Sequence, residues 1–467
     1  MEVFSTRRQE EDASMIRDIA KWHELIREYR GLRHLEGHTA QSRGQRFNNM
    51  IAELLRCWGV EAIANVRNTG EIDVMFSVSG VRYVLEAKWQ KPKADTGQIA
   101  KLQKRVRQRL AGTYGVVLSM SGFSSEALAE VSDGERLEVL LLDASHWEAM
   151  LTGLVPPEEL MRLMHDRAAF HGDAHASLAK LLRSTADIPS VRFGPPPGPT
   201  HNAIRSAADG VTGETVLSGI VSNQLGVAVR SNGHLLVTTA ASVLDIDLDR
   251  QVTAVAVPVA DCLRNTVPLE DGSVMFARRH GVGRFHAGEL TAVGGGGTGN
   301  ISLLRQPDGS VWLYDNGGLT TPGASLTKLG EQAGDEERYA LGWPPACSTG
   351  AAWVSDELVA SVGNSSVVVS DIPELSDVRR HAFDAGNPMG TAHIGGGIVL
   401  VTADWVAVHR VDTKTGNAEQ VADLNGLAGS MYELAHANGD VFVAAYQDPA
   451  GAQLTFAVVR LQGLASS

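Results

Sequence analysis

Cysteine is almost absent. Cys57, Cys262 and Cys347 are the only three in 467 residues, and they lie far apart with no CxxC. That excludes a disulfide framework and a zinc knuckle and suits a reducing compartment. Long apolar runs are missing too, since none approaches the roughly 18 residues that cross a bilayer. The N-terminus, MEVFSTRRQEEDASM, has no apolar signal core. A cytoplasmic protein with no membrane partner is therefore expected. Positive charge is also in deficit: 41 Lys and Arg against 54 Asp and Glu leave −13. Taken alone, that argues against a nucleic-acid partner.

The deficit is uneven. Residues 1–130 hold 20 basic and 16 acidic side chains, a balance of +4, whereas the remainder holds 21 and 38, a balance of −17. Such asymmetry suggests different partners for the two parts. The length exceeds one ordinary core, so several domains are expected.

The basic part carries the most specific chemistry. GEIDVMFSVSGVRYVLEAKW, residues 70–89, reads as two alternating strands around a Ser79-Gly80 hairpin turn. Residues i and i+2 share a face of a strand, so Glu86 and Lys88 project together and Ala87 faces the other way. With Asp73 on the neighbouring strand, three polar groups converge. Carboxylates hold hard divalent ions, and a nearby cation can polarise water or balance phosphate charge. Asp73 and Glu86 fit as Mg²⁺ (or Mn²⁺) ligands, with Lys88 as the catalytic cation and the Ala87 carbonyl as a further candidate ligand. The alternative is a solvated D…ExK on an exposed strand. Next comes KLQKRVRQR, residues 101–109, with five basic side chains in nine. Lys101, Lys104, Arg105 and Arg109 are candidate contacts to a phosphate backbone, although such a run is also an ordinary solvated helix face.

Around these motifs the periodicity predicts helices over about 10–30 and 44–58, strands near 60–66, 72–78 and 82–89, and a helix over 96–110. A buried strand at 115–119, a helix from 124, a strand at 137–142 and a helix from 145 follow. The order is αβββαβ, an α/β domain with a mixed sheet. RFGPPPGPTH then places four prolines where neither a helix nor a central strand can continue. Beyond it a turn pair followed by alternating apolar residues recurs. The pairs are Asn232-Gly233, Asp271-Gly272, Asp308-Gly309, Asp356-Glu357, Gly396-Gly397 and Asn438-Gly439, with steps of 39, 37, 48, 40 and 42 residues. Six copies at one four-stranded blade each predict a six-bladed β-propeller rather than a glycine-rich sandwich. The expected division is a helical extension at 1–40, an α/β domain at 41–190, a Pro-rich linker at 191–201 and the propeller at 202–467.

RGQRFNNMIAELLRCWG, GEIDVMF, YVLEAKW, KLQKRVRQRLAGTYGVVLSMSGFSSEAL and VLLLDASHWEAML, in that order, resemble the restriction-endonuclease-like PD-(D/E)xK superfamily, particularly its Mrr-type branch. The resemblance covers about residues 40–170. It implies Asp73, Glu86 and Lys88 as the metal and catalytic triad, Mg²⁺ dependence, DNA as substrate and a role in defence against phage or foreign DNA. RNA remains open, since the triad addresses a phosphate. Many relatives carry an acid after the aromatic of the first helix, where Asn48 stands here. Glu53, about 140° around the helix, is the candidate replacement.

Other candidates are weaker. His171 and His175 have i,i+4 spacing on an expected helix, without HExxH or a third ligand nearby. Gly294–Gly297 has no following Lys-Ser/Thr and reads as a flexible inter-blade loop, and Ser119 lacks GxSxG. Asp308, Asp315, Asn316 and Asn364 are conceivable metal ligands of a propeller hydrolase. A metal-dependent endonuclease held in check or targeted by a propeller that binds a protein or small ligand is the favoured reading. A non-cutting nuclease-fold scaffold for DNA or protein and a propeller lactonase or esterase are the alternatives. A homodimer suits double-strand cutting.

Overall fold

The computed structural model describes residues 16–35, 39–67, 71–132, 137–185, 190–195, 206–220, 225–298, 301–317, 323–343, 350–362, 366–372, 377–386, 388–404, 406–424, 431–447 and 455–464. Helix α1, Ile19–His34, starts where the Asp18 carboxylate accepts from the Lys21 N–H, and it buries Trp22, Leu25, Ile26, Tyr29 and Leu32 at helical spacing. The earlier start expected from periodicity falls largely outside the described residues. Helix α2, Ala40–Cys57, opens on a Thr39–Ser42 capping box and buries Phe47, Met50, Ile51, Leu54 and Leu55.

Strands β1 (Glu61–Val66), β2 (Ile72–Val78) and β3 (Val81–Lys88) form an antiparallel meander. Ser79 and Gly80 both take positive φ, 49° and 81°, as a tight two-residue hairpin requires. Helix α3 (Thr96–Arg107) then crosses to β4 (Thr113–Ser119), and α4 (Ser125–Ser132) to β5 (Val139–Asp143), both strands parallel to β3. Helices α5 (Ala144–Thr152), α6 (Pro157–His171) and α7 (Leu178–Leu181) follow. The sheet order is β1-β2-β3-β4-β5. Phe47, Met50, Leu54 and Trp147 pack on Val74, Phe76, Leu85 and Leu118 on one face. Ile99, Leu102, Val106 and Ala127 pack on Val84, Val117 and Leu141 on the other.

The rest is a six-bladed β-propeller of six antiparallel sheets with four core strands each. Every predicted turn pair lies in the hairpin between the first and second strands of a blade, as at Asn232-Gly233 between Leu225–Val229 and Leu235–Thr239. The last blade closes the ring. Its three C-terminal strands are completed by β8 (Thr212–Ile220), which comes from the start of the propeller region and pairs with the last of them, Thr455–Gln462. Two short strands, β6 (Val191–Phe193) and β7 (Ser206–Ala207), add to the edges of the last and fifth blades. Most of the proline run lies outside the described residues.

One apolar core runs through both parts: Trp22, Trp147, Leu151 and Leu154 share a cluster with Leu236, Val259, Phe276 and Leu290. The segment after α5 seats on the second blade. An added Cβ on Gly295 would stand 1.9 Å from the Thr152 carbonyl oxygen, and one on Gly281 would stand 2.4 Å from the Leu154 nitrogen. Gly294 and Gly295 therefore end the strand Glu289–Gly295, Gly294 against the Leu329 side chain and Gly295 against the Thr152 backbone, which corrects the flexible-loop reading of the glycine run. Arg278, 2% exposed, fixes the joint. It donates to the Leu154 carbonyl at 2.9 Å and the Ala260 carbonyl at 3.0 Å and pairs with Glu159.

Candidate active site

Residues of β2, β3, α2 and α3 line a cleft of about 310 Å³, among them Gln45, Asn48, Glu71, Asp73, Glu86, Lys88, Trp89, Lys101 and Arg105. The hairpin register pairs Val74 with Leu85, so Asp73 and Glu86 stand one step further along adjacent strands. The Asp73 carboxylate is held on both oxygens: Oδ1 accepts from Asn48 Nδ2 at 2.9 Å and Oδ2 from the Ala87 N–H at 2.8 Å. Asn48, standing where relatives often carry an acid, thus orients Asp73. Glu86 Oε1 accepts from Lys88 Nζ at 2.7 Å and Oε2 from Arg105 Nη1 at 2.5 Å.

Burial, and then the nearby Glu86 charge, raise the Asp73 carboxyl above its ordinary value, against the opposing pull of the Ala87 N–H, Lys88 and Asn48. The sign of the linkage follows. A carboxyl raised in the fold favours the folded state most when protonated, and that contribution is lost as pH rises through the folded value. Ionised Asp73 therefore costs stability at neutral pH. Asp73→Asn without divalent ions is expected to melt above wild type at pH 7, with the gap closing towards pH 4. A thermal scan at both pH values checks this, and a lower melting point at pH 7 would refute it.

Helix α3 brings only part of the basic run to the cleft. Ile99, Leu102 and Val106 face the core, which turns Lys101 and Arg105, one helical turn apart, to the opening. Lys104 is exposed and outside the lining. Arg109 lies beyond the helix, which ends at Arg107 and not at the expected 110, and it does not line the cleft.

Glu53 is not brought to the site. Arg46 donates to both of its oxygens at 2.9 Å and also grips Glu28, while Lys21 approaches Glu53 at 3.3 Å. Burial pushes Glu53 up, but the hydrogen bonds and charges of Arg46 and Lys21 together leave it below the usual range. Glu53→Gln is expected to lower stability by about 1 kcal/mol and to leave cleft chemistry unchanged, as chemical denaturation and cleavage assays would show. Glu71, two residues before Asp73, is the acid that sequence reasoning passed over. The strand alternation that aims Asp73 at the cleft was the available signal.

His171 and His175 do not share a helix, because α6 ends at His171 and Gly172 caps it. His175 instead meets Asp143 and His146. Ser119 Oγ donates to the Gly122 carbonyl at 2.7 Å. Asp308 lies in an exposed hairpin turn, held by Ser310. Asp315 and Asn316 are buried at the far end of the next strand, and Asp315 accepts from the Thr298 and Gly317 N–H groups. The structure does not bring Asp308 to them. Asn364 and Cys347 lie outside the described residues. Among the described residues no helix is long and apolar enough to cross a membrane.

Residues 39–151 match the family model described as Restriction endonuclease, which identifies this part of the chain as a restriction-endonuclease-like nuclease domain. No curated protein matches the chain. Among solved structures, a gluconolactonase from Xanthomonas campestris aligns at 16% identity and a TM-score of 0.41, over 60% of this chain and 97% of its own. BamB from Moraxella catarrhalis aligns at 13% identity and 0.35, over 56% and 92%. A protein of unknown function from Dyadobacter fermentans aligns at 11% and 0.38, over 55% and 100%.

Proposed function

We propose that this restriction-endonuclease-like domain is a Mg²⁺- or Mn²⁺-dependent deoxyribonuclease whose propeller docks a protein or small ligand, and that it serves in defence against foreign DNA. The observation that carries the reading is the convergence of Asp73, Glu86 and Lys88 at one cleft with Lys101 and Arg105 at its rim. The donor set suits a hard cation. Two carboxylates on adjacent strands supply oxygen ligands, and the Glu86 charge that raises Asp73 is the repulsion a divalent ion would relieve. Asp73 and Glu86 would hold the ion, which when bound supplies an activated water and neutralises charge on the phosphate.

The chain's own groups do the rest. Asn48 and the Ala87 N–H fix the direction of Asp73. Lys88 and Arg105 neutralise Glu86 at rest. Lys88 then offers its ammonium to the charge developing on the transferring phosphate, and Lys101 and Arg105 draw the backbone into the cleft. Incubating the full-length protein with supercoiled plasmid and Mg²⁺ or Mn²⁺ tests this. Nicked or linear product is expected, and intact plasmid with both ions rejects it. The occupation of both Glu86 oxygens by cations favours a second reading, a domain that binds DNA without cutting it. Retained DNA binding beside intact plasmid would support that.

A further inference from the structure

The parallel strands β3, β4 and β5 end side by side, with Lys88 opposite Ser119 and Ser119 opposite Asp143. Two strands from the cleft, roughly 10 Å at ordinary strand spacing, a second polar cluster occupies this edge. Asp143 caps α5, and its Oδ1 lies 2.8 Å from His146 Nδ1. Its Oδ2 lies 3.0 Å from His175 Nε2. The three ligand atoms all fall within 4.8 Å of one another. His175 is delivered by the segment after α6, whose Ala174 carbonyl accepts from the Leu141 N–H of β5 at 2.9 Å.

The hydrogen bonds around His146 expose an unmet demand. His146 is fully buried, and its Nε2 lies 2.8 Å from the Ala176 carbonyl oxygen, which can only accept. Nε2 therefore carries the hydrogen. Nδ1 is then left with a lone pair that receives the Asp143 N–H at 3.1 Å and also faces the Asp143 carboxylate oxygen. At 2.8 Å these two atoms need a positive charge between them, supplied by a proton on Nδ1 or by a bound metal ion. A backbone carbonyl on the far nitrogen is the usual partner that orients a metal-bound histidine.

We propose that Asp143, His146 and His175 form a second metal site, separate from the Asp73–Glu86 cleft, that takes a borderline-soft divalent ion of the Zn²⁺ class. One oxygen and two imidazoles suit such an ion at about 2.1 Å, with ligand–ligand edges of about 3.3 Å in a tetrahedron. The two imidazoles meet different oxygens of the Asp143 carboxylate, Oδ1 for His146 and Oδ2 for His175, so a small rotation of the carboxylate and closure of His175 towards His146 gather the three ligands on one ion. Asp143 and His175 are about a quarter exposed, which leaves a route for the ion and for water in the remaining position. The role is structural. The ion ties the chain after α6 to the start of α5, and the end of α5 is the part seated on the propeller.

Cobalt substitution tests this. Full-length protein is stripped with a chelator and titrated with Co²⁺ alone. The expected result is one equivalent giving the intense visible bands of a low-coordinate site with nitrogen ligands. These bands should persist in Asp73→Asn and vanish in His175→Ala and His175→Gln, each checked for native circular dichroism before metal is added. An all-oxygen six-coordinate ion in the cleft absorbs only weakly, so the readout does not depend on the nuclease reading. Absence of the bands in wild type would mean that a proton alone fills the gap, and bands equal in wild type and both His175 variants would place the metal elsewhere. Either result overturns the proposal.

Discussion

Lys88→Ala is expected to lower plasmid cleavage by about 10²–10³-fold, the usual effect of removing one preorganised donor from developing charge. The loss should fall on turnover, because Lys101 and Arg105 remain to attract the backbone. Folding should survive. Lys88 is 24% exposed at the last residue of β3, and Arg105 still pairs with Glu86 when Lys88 is gone. DNA binding measured in Ca²⁺ should therefore match wild type while the cleavage rate collapses. Wild-type cleavage by Lys88→Ala would remove the lysine from the chemistry, and weakened binding with unchanged turnover would reduce it to one more phosphate contact.

The grouping of Asp73, Glu86 and Lys88 was legible because strand alternation is a strict local rule and the hairpin turn fixes the register. The propeller was legible for a similar reason: each blade needs a tight first hairpin, and turn chemistry is written locally. What stayed hidden was set by packing between distant segments. Closure of the last blade by β8 joins residues 212–220 to 455–462, a pairing with no local signature. The fate of Glu53 depended on Arg46, which lies two helical turns earlier and could have pointed elsewhere. The i,i+4 spacing of His171 and His175 assumed a continuous helix, whereas Gly172, with φ of 67°, stops it and sends His175 to β5. The glycine run lacked side chains, so nothing in its own pattern could announce the backbone it receives.

Breaking the seat between the two parts should have the largest effect on stability. Arg278→Ala leaves the half-buried carboxylate of Glu159 without its main partner, since Arg279 approaches it only at 3.6 Å. Burial works to raise that carboxyl, but the charge and hydrogen bond of Arg278 together with the Arg279 and Arg162 charges hold it below the usual range, so the carboxylate form is the one left stranded. Removing one member of a buried pair costs about 3–5 kcal/mol, which corresponds to a fall of roughly 3–5 °C in melting temperature for a chain of this length. Gly295→Val attacks the same joint sterically, because the Thr152 carbonyl oxygen occupies the place of its Cβ. Both variants should melt earlier, and the single calorimetric transition expected of a shared core should split in two. A single transition within a degree of wild type in both would show that the parts do not stabilise each other. The distinction bears on control. The aromatic contacts run from Trp89 at the cleft to Phe47 at 4.7 Å, then Trp147 at 5.1 Å and Tyr29 at 6.2 Å, and Arg33 on the same helix pairs with Asp335 of the propeller. On the proposed control of the cleft by the propeller, a loosened seat should change cleavage together with melting.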